Sequence, residues 1–181
     1  MAATYTLLAQ NVTMATNKNM LAWVNHTGSG VVVDTYRIWM FNINTSANNG
    51  NPGMIELWAC SSVSSFTGGT GVTFVKQDTN SATVPVQVIA NTATSTTLTK
   101  NTRIKRFYRW GEEVIVSGAI AVGQIQAAFP PLNLLQDSGY TDTTIQPLRL
   151  RPGEGFVLYT PSSGGGTYIG QTAIIVECTV Y

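Results

Sequence analysis

Apolar and polar positions alternate poorly along residues 31–44, the longest apolar, β-branched and aromatic run in the chain. Its odd positions are Val31, Val33, Thr35, Arg37, Trp39, Phe41 and Ile43; its even positions are Val32, Asp34, Tyr36, Ile38, Met40 and Asn42. Successive strand residues point to opposite faces, and both sets here are largely apolar, so a strand over this run would be covered on both sides. At about 3.3 Å per residue it would extend roughly 46 Å, which predicts a bend or bulge inside it.

Further strand patterns fall at residues 5–10 (a first, edge strand), 20–25, 54–60, 72–76, 84–90, 102–110, 114–116, 145–150, 156–160 and 169–181. Turn formers separate them, among them His26-Thr-Gly-Ser-Gly30, the loop 44–53, and Arg151-Pro-Gly-Glu-Gly155. Residues 54–60 read most simply as the antiparallel partner of 31–44. Pro85 makes 84–90 an edge or bulged strand. Only 119–135 has a helical flavour, broken by Pro130-Pro131, so at most one or two short helical turns are expected. About ten short strands with almost no helix predict an all-β fold, an antiparallel β-sandwich that is jelly-roll-like. No repeat or linker divides the chain, so 1–181 is expected to be a single domain, with 1–10 a candidate N-terminal arm crossing to a neighbour.

Composition narrows the class. Apolar residues are 44% of the 181, enough for one core, but charged residues are only 10%. An ordinary soluble domain carries ~25% charged residues. Thr, Ser, Asn, Gln and Gly make up the balance. That surface suits a protein that packs against copies of itself, since a lone monomer leans on more charge to stay soluble. A secreted β-domain with a polar uncharged coat is the alternative. The net charge of +1 supplies no field toward nucleic acid or anionic lipid. No apolar run reaches the ~18 residues of a membrane helix. The opening Met1-Ala-Ala-Thr-Tyr-Thr-Leu-Leu lacks the basic and apolar regions of a signal peptide. The chain is therefore expected to be made in a cytoplasm and exported, if at all, by assembly or lysis, with an extracellular location as the alternative.

Candidate chemistry is sparse. Cys60 and Cys178 each lie near the end of a strand pattern and are either a disulfide or two buried thiols. With one histidine they cannot build an ordinary four-ligand zinc site. That histidine, His26, sits in a Gly-Ser turn, and no G-x-S-x-G elbow accompanies it. Glu56, Glu112, Glu113, Asp137, Asp142 and Glu154 stand in no informative context, and the adjacent Glu112 and Glu113 would point to opposite faces of a strand. No phosphate-cradling glycine motif is present. No catalytic, cofactor-binding or metal-binding residue is assigned, no cofactor is expected, and the chain reads as a non-enzyme. Asn11-Val-Thr13, Asn25-His-Thr27 and Asn44-Thr-Ser46 fit the glycosylation pattern, as chance allows in a chain this rich in Asn and Thr.

One charge cluster stands out. Five of the ten basic residues, Lys100, Arg103, Lys105, Arg106 and Arg109, lie close together, interleaved with Phe107, Tyr108 and Trp110. Three readings compete: a nucleic-acid strip, an inter-subunit contact, and the solvated face of a strand. The near-neutral chain disfavours the first. Strict alternation would place Arg103, Lys105, Phe107 and Arg109 on one face and Ile104, Arg106, Tyr108 and Trp110 on the other. The candidate interface comprises Arg103, Lys105, Arg106, Phe107, Arg109 and Trp110. A rival function, a carbohydrate-binding β-sandwich module, would use Trp23, Trp39, Trp58 and Trp110 as a stacking platform.

The stretch Leu148-Arg-Leu-Arg-Pro-Gly-Glu-Gly-Phe-Val-Leu-Tyr159 resembles the late strands of small bacteriophage virion proteins, β-sandwiches that decorate heads or build tails and fibres. Tyr5-Thr-Leu-Leu-Ala-Gln-Asn-Val-Thr13 and Tyr36-Arg-Ile-Trp39 resemble them too. The resemblance implies a structural role in a virion: a capsid-decorating, tail or fibre subunit that forms a homo-oligomer, trimer or higher. Its partners would be copies of itself and a major capsid or tail protein, with no small-molecule substrate and no membrane.

Overall fold

A computed structural model describes residues 2–13, 17–43, 54–61, 69–84, 86–92, 98–108, 132–135, 146–161 and 171–181. They form two antiparallel sheets. The first, sheet A, contains β1 (Ala3–Thr13), β3 (Val33–Asn42), β6 (Phe74–Lys76), β9 (Leu132–Leu135), β10 (Leu148–Leu150) and β12 (Gln171–Val180). Its order is β10-β3-β12-β1-β6, with β9 pairing β3 as well. The second, sheet B, contains β2 (Lys18–Asn25), β4 (Met54–Ser61), β5 (Thr70–Gly71), β7 (Val86–Thr92), β8 (Thr99–Tyr108) and β11 (Gly155–Thr160), in the order β5-β7-β2-β11-β4-β8. The strands β1 to β4 alternate between the sheets, and so do β10 to β12. This is the all-β antiparallel sandwich the turn spacing predicts, with jelly-roll-like crossings.

The core follows from burial of one face per sheet. Tyr5, Leu7 and Ala9 of β1, Ile38 and Met40 of β3, and Ile174, Val176 and Cys178 of β12 point inward from sheet A. They meet Leu21 and Trp23 of β2, Ile55 and Leu57 of β4, and Phe156 and Leu158 of β11. Trp23 joins the layers: its ring lies 5.0 Å from that of Phe74 in sheet A and 5.3 Å from that of Phe156 in its own sheet. Burying such side chains contributes about 1.5–3 kcal/mol each, which is what holds two otherwise soluble sheets together.

Several local expectations change. The bulge expected in the 31–44 run falls at Tyr36: Arg37 pairs with Glu177, but Thr35 pairs with Cys178. Beyond it β3 alternates cleanly, with Ile38 and Met40 buried and Arg37, Trp39 and Phe41 half-buried. The two-sided coverage expected of the run thus holds only in part. Residues 54–60 do not pair with that run. β4 lies in the opposite sheet, between β11 and β8. Residues 43–53 are long enough to cross the ~10 Å between packed sheets, whereas a hairpin uses a turn of two to five residues. Nor is β1 an edge strand, because β12 and β6 flank it. Of the stretch with helical flavour, Leu132–Leu135 form β9; the rest lies outside the described residues, as do Arg109 and Trp110.

One end of the sandwich is tied together by a single side chain. Asn25 is buried, and its Nδ2 donates to the carbonyls of Val31 (2.9 Å) and Leu150 (3.0 Å). Its backbone N–H donates to Glu154 O, and its own carbonyl accepts from Gly153 N–H at 2.7 Å. The turn so anchored needs glycine at Gly153, whose φ is +87°. Asn25 is thus a structural residue, not an exposed glycan acceptor.

Candidate functional site

The basic cluster is built on β8, an edge strand of sheet B among the described residues. β8 is bulged twice against β4. Leu57 pairs with Lys105 but Trp58 with Arg103, which leaves Ile104 extra; Ala59 pairs with Thr102 but Cys60 with Lys100, which leaves Asn101 extra. The first bulge resets the alternation. Arg103 and Arg106 therefore reach the same side of the sheet, where strict alternation had placed them on opposite faces. Phe107, opposite Ile55, packs against the core, and Lys105 is exposed.

Both arginines converge on Glu56. Its side chain is 3% exposed, while theirs are 42% and 36% exposed. Arg106 Nε donates to Oε1 at 2.8 Å and Arg106 Nη2 lies 2.6 Å from it; Arg103 Nη1 donates at 3.1 Å. The other oxygen, Oε2, accepts from Trp58 Nε1 at 2.8 Å. Burial pushes the Glu56 carboxyl up, but the hydrogen bonds from Arg106 and Trp58, the Arg106 charge and the Arg103 hydrogen bond outweigh it and hold the carboxyl below its ordinary value. Arg103 also lies over the Trp58 ring, 5.8 Å from its centroid, and Lys100 Nζ sits 3.2 Å from the centre of the Tyr159 ring.

Next to this network the far side of sheet B closes over a second, smaller apolar cluster. Ala22, Val24, Cys60 and Val157 are buried there, with Leu98 and Tyr159 packed on them. Cys60 and Cys178 are both free: one faces this cluster and the other the main core, in different sheets. Burial pushes each thiol up to about 12. Of the two readings of the cysteines, buried thiols is therefore the one observed. Lys100 shares the neighbourhood. Burial lowers its pKa, against the opposing pull of Cys60 and Glu56.

The far side of sheet A is different. Leu8 of β1 pairs with Ile175 of β12, which pairs with Trp39 of β3, so three apolar side chains run across the sheet in one row. Leu8 is 40% exposed, and Val75, beside Thr6 on β6, is 61% exposed. Ile175 and Trp39 are half-buried. One row away, Arg37 pairs with Glu177 at 2.8 Å and covers the Trp39 ring at 5.0 Å. Trp39 in turn meets Phe41 edge-on at 5.9 Å.

The remaining candidates separate. Trp23 is in the core, Trp39 on the far side of sheet A and Trp58 on the far side of sheet B, so the described indoles do not make one stacking platform. His26 lies in its turn with Nδ1 accepting from Gly28 N–H at 3.0 Å. Among the described residues no three His, Cys, Asp or Glu side chains converge. The described carboxylates mostly meet cations: Asp34 takes a two-pronged contact from Arg149, Nε and Nη2 both at 2.7 Å. An open groove of about 660 Å³ lies at the end of sheet A, between Tyr5, Asp78, Ala82 and Tyr181. Glu56 was the residue whose role the sequence concealed. Its arginine partners lie 47 and 50 positions away, and no spacing rule connects them; only Trp58, two positions on along β4, is local.

No protein-family model, no curated protein and no solved structure matches the chain. The fold defines a class, an antiparallel β-sandwich with a small buried apolar cluster on the far side of sheet B and exposed apolar side chains on that of sheet A.

Proposed function

We propose that this chain is a structural subunit that works by joining copies of itself, as a coat, tail or fibre element of a virion. The carrying observation is the row Leu8–Ile175–Trp39, with Val75 beside it, on the far side of sheet A in a chain with only 10% charged residues. A solvated sheet face normally alternates toward polar residues. Apolar side chains left in contact with water on such a face mark a surface that another protein covers. The mechanism is passive: shape and apolar burial hold neighbours in place, and no bond is made or broken. The resemblance of residues 148–159 to phage virion proteins supports the virion setting. That segment runs from sheet A into sheet B through the turn anchored on Asn25.

Sedimentation velocity of the purified chain from about 1 to 100 µM is the test, a range that brackets ordinary protein affinities. A concentration-dependent or fixed multimer is expected. A monomer throughout, with no assembly in the presence of a candidate capsid or tail protein, overturns the reading.

A further inference from the structure

The sandwich has two far sides and several strand edges, and they are not equally fit to meet another copy. We infer that the far side of sheet A packs face to face against the same surface of a second copy, across a two-fold axis. This inference rests on the self-association reading above and names the surface that performs it.

Three observations select that face. The first is the asymmetry of apolar covering. On sheet B the far-side residues Ala22, Val24 and Val157 are buried within the chain, Trp58 is half-buried beside Arg103, and the exposed Ile104 is the extra residue of the bulged β8 edge. On sheet A, Leu8 and Val75 are exposed and Ile175 is only half-buried. The second is charge. A two-fold contact sets each surface against itself, so a patch of one sign repels its own copy. Among the described residues the sheet A face carries two cations and two anions, joined as Arg37–Glu177 at 2.8 Å and Arg149–Asp34 at 2.7 Å. It presents no net charge to its copy from them. β8 carries Lys100, Arg103, Lys105 and Arg106, and the carboxylate they meet among the described residues is Glu56. A two-fold axis there would set cations against cations.

The third observation concerns edges and area. Strand addition needs a long flat edge, and proteins block it with lysines, bulges or short strands. β8 is long but twice bulged and basic, and the other described edge strands are short, with two residues in β5, three in β6, four in β9 and three in β10. That leaves faces over edges. Sheet A has three strands of ten or eleven residues, β1, β3 and β12, flanked by the short β6, β9 and β10, and at about 3.3 Å per residue and 4.8 Å between strands they cover on the order of 600 Å² before side-chain relief. That is close to the ~800 Å² per partner of a standard stable interface.

The test compares the wild-type chain with Leu8→Lys, Val75→Glu and, as a control on the other sheet, Lys105→Glu. Mass is read by sedimentation velocity, and folding by the circular dichroism melt. The expected result is that wild type and Lys105→Glu sediment alike as a multimer, while Leu8→Lys and Val75→Glu each weaken association at least tenfold. Val75 is the more exposed site and carries the test if the Leu8 variant does not fold. If wild type associates and both sheet A variants associate equally well, the chosen face is wrong and the self-association reading stands. If Lys105→Glu alone dissolves the multimer, the β8 edge is the contact and the inference is overturned. A wild type that stays monomeric throughout overturns the inference, and it overturns the reading beneath it as well when a candidate capsid or tail protein brings about no assembly.

Discussion

Arg106 Nη2 lies 2.6 Å from Glu56 Oε1, across the β4–β8 pair, although the two residues are fifty positions apart. With Arg103 and Trp58 on the same carboxylate, this is the polar clamp that holds the edge strand β8 onto sheet B. A buried carboxylate stripped of its partners is costly, and so are guanidinium groups stripped of theirs.

Glu56→Ala is therefore expected to destabilise the fold by about 2 kcal/mol, discounted from the buried-pair range because both arginines are partly exposed. Glu56→Gln, which keeps an acceptor for Trp58 and loses the charge, is expected to cost less. Urea unfolding followed by tryptophan fluorescence measures both. Equal midpoints for the wild type and Glu56→Ala would show that the clamp contributes nothing.

The same carboxylate makes stability depend on pH. Its folded-state pKa lies below the ordinary 4.5, so the unfolded chain binds the proton more readily. The contribution is complete above that ordinary value and is lost as pH falls through the lowered folded value. Melting temperatures from pH 7 down to pH 3 should fall in wild type below about pH 4.5, and the fall should be shallower in Glu56→Gln. Parallel curves for the two proteins would contradict it.

Both thiols should be inert in the native state. With each pushed up to about 12 by burial, the thiolate fraction at pH 8 is on the order of 10⁻⁴. Ellman's reagent at pH 8 is expected to modify neither cysteine in the folded chain and both in guanidinium chloride. A native count of one or two fast-reacting thiols would disprove the burial, and no reaction after unfolding would reveal a disulfide.

Gly155→Ala should be among the most damaging single changes. A Cβ at this position would collide with the carbonyl oxygen of Trp23 and approach Val24 Cγ2 to 2.9 Å, where β11 pairs with β2. Neither backbone can yield without breaking the sheet. A loss of about 3 kcal/mol or more is expected, from overpacking at a site with no slack. A melt within a few degrees of wild type would contradict the close approach.

How far the fold could be read beforehand depended on the range of the interaction. Alternation and turn chemistry placed most strands: β3 with its bulge, β11 after the Gly153 turn, β12 at the end. Partner choice was not readable. Nothing local in residues 54–61 says that they face β11 instead of β3; complementary burial across two sheets decides it. The basic cluster was legible as composition, but its geometry was not. The extra residue at Ile104 is invisible in an alternating pattern, and it brings Arg103 and Arg106 to one side. Likewise Leu8 and Val75 looked like ordinary strand residues until their neighbours on β12 and β1 were known.

The pairing of Ala3 with Val180 also sets a schedule. β1 ends at Thr13 and β12 begins at Gln171, so a ribosome releases β1 well before its main neighbour. At about 5–20 residues per second the wait is on the order of ten seconds or more. During that interval β6 can offer only three residues, and Leu7 has no β12 to lie beside. Sheet A can close only once β12 has emerged, so for that interval the apolar face of β1 lacks the strand that covers its flank.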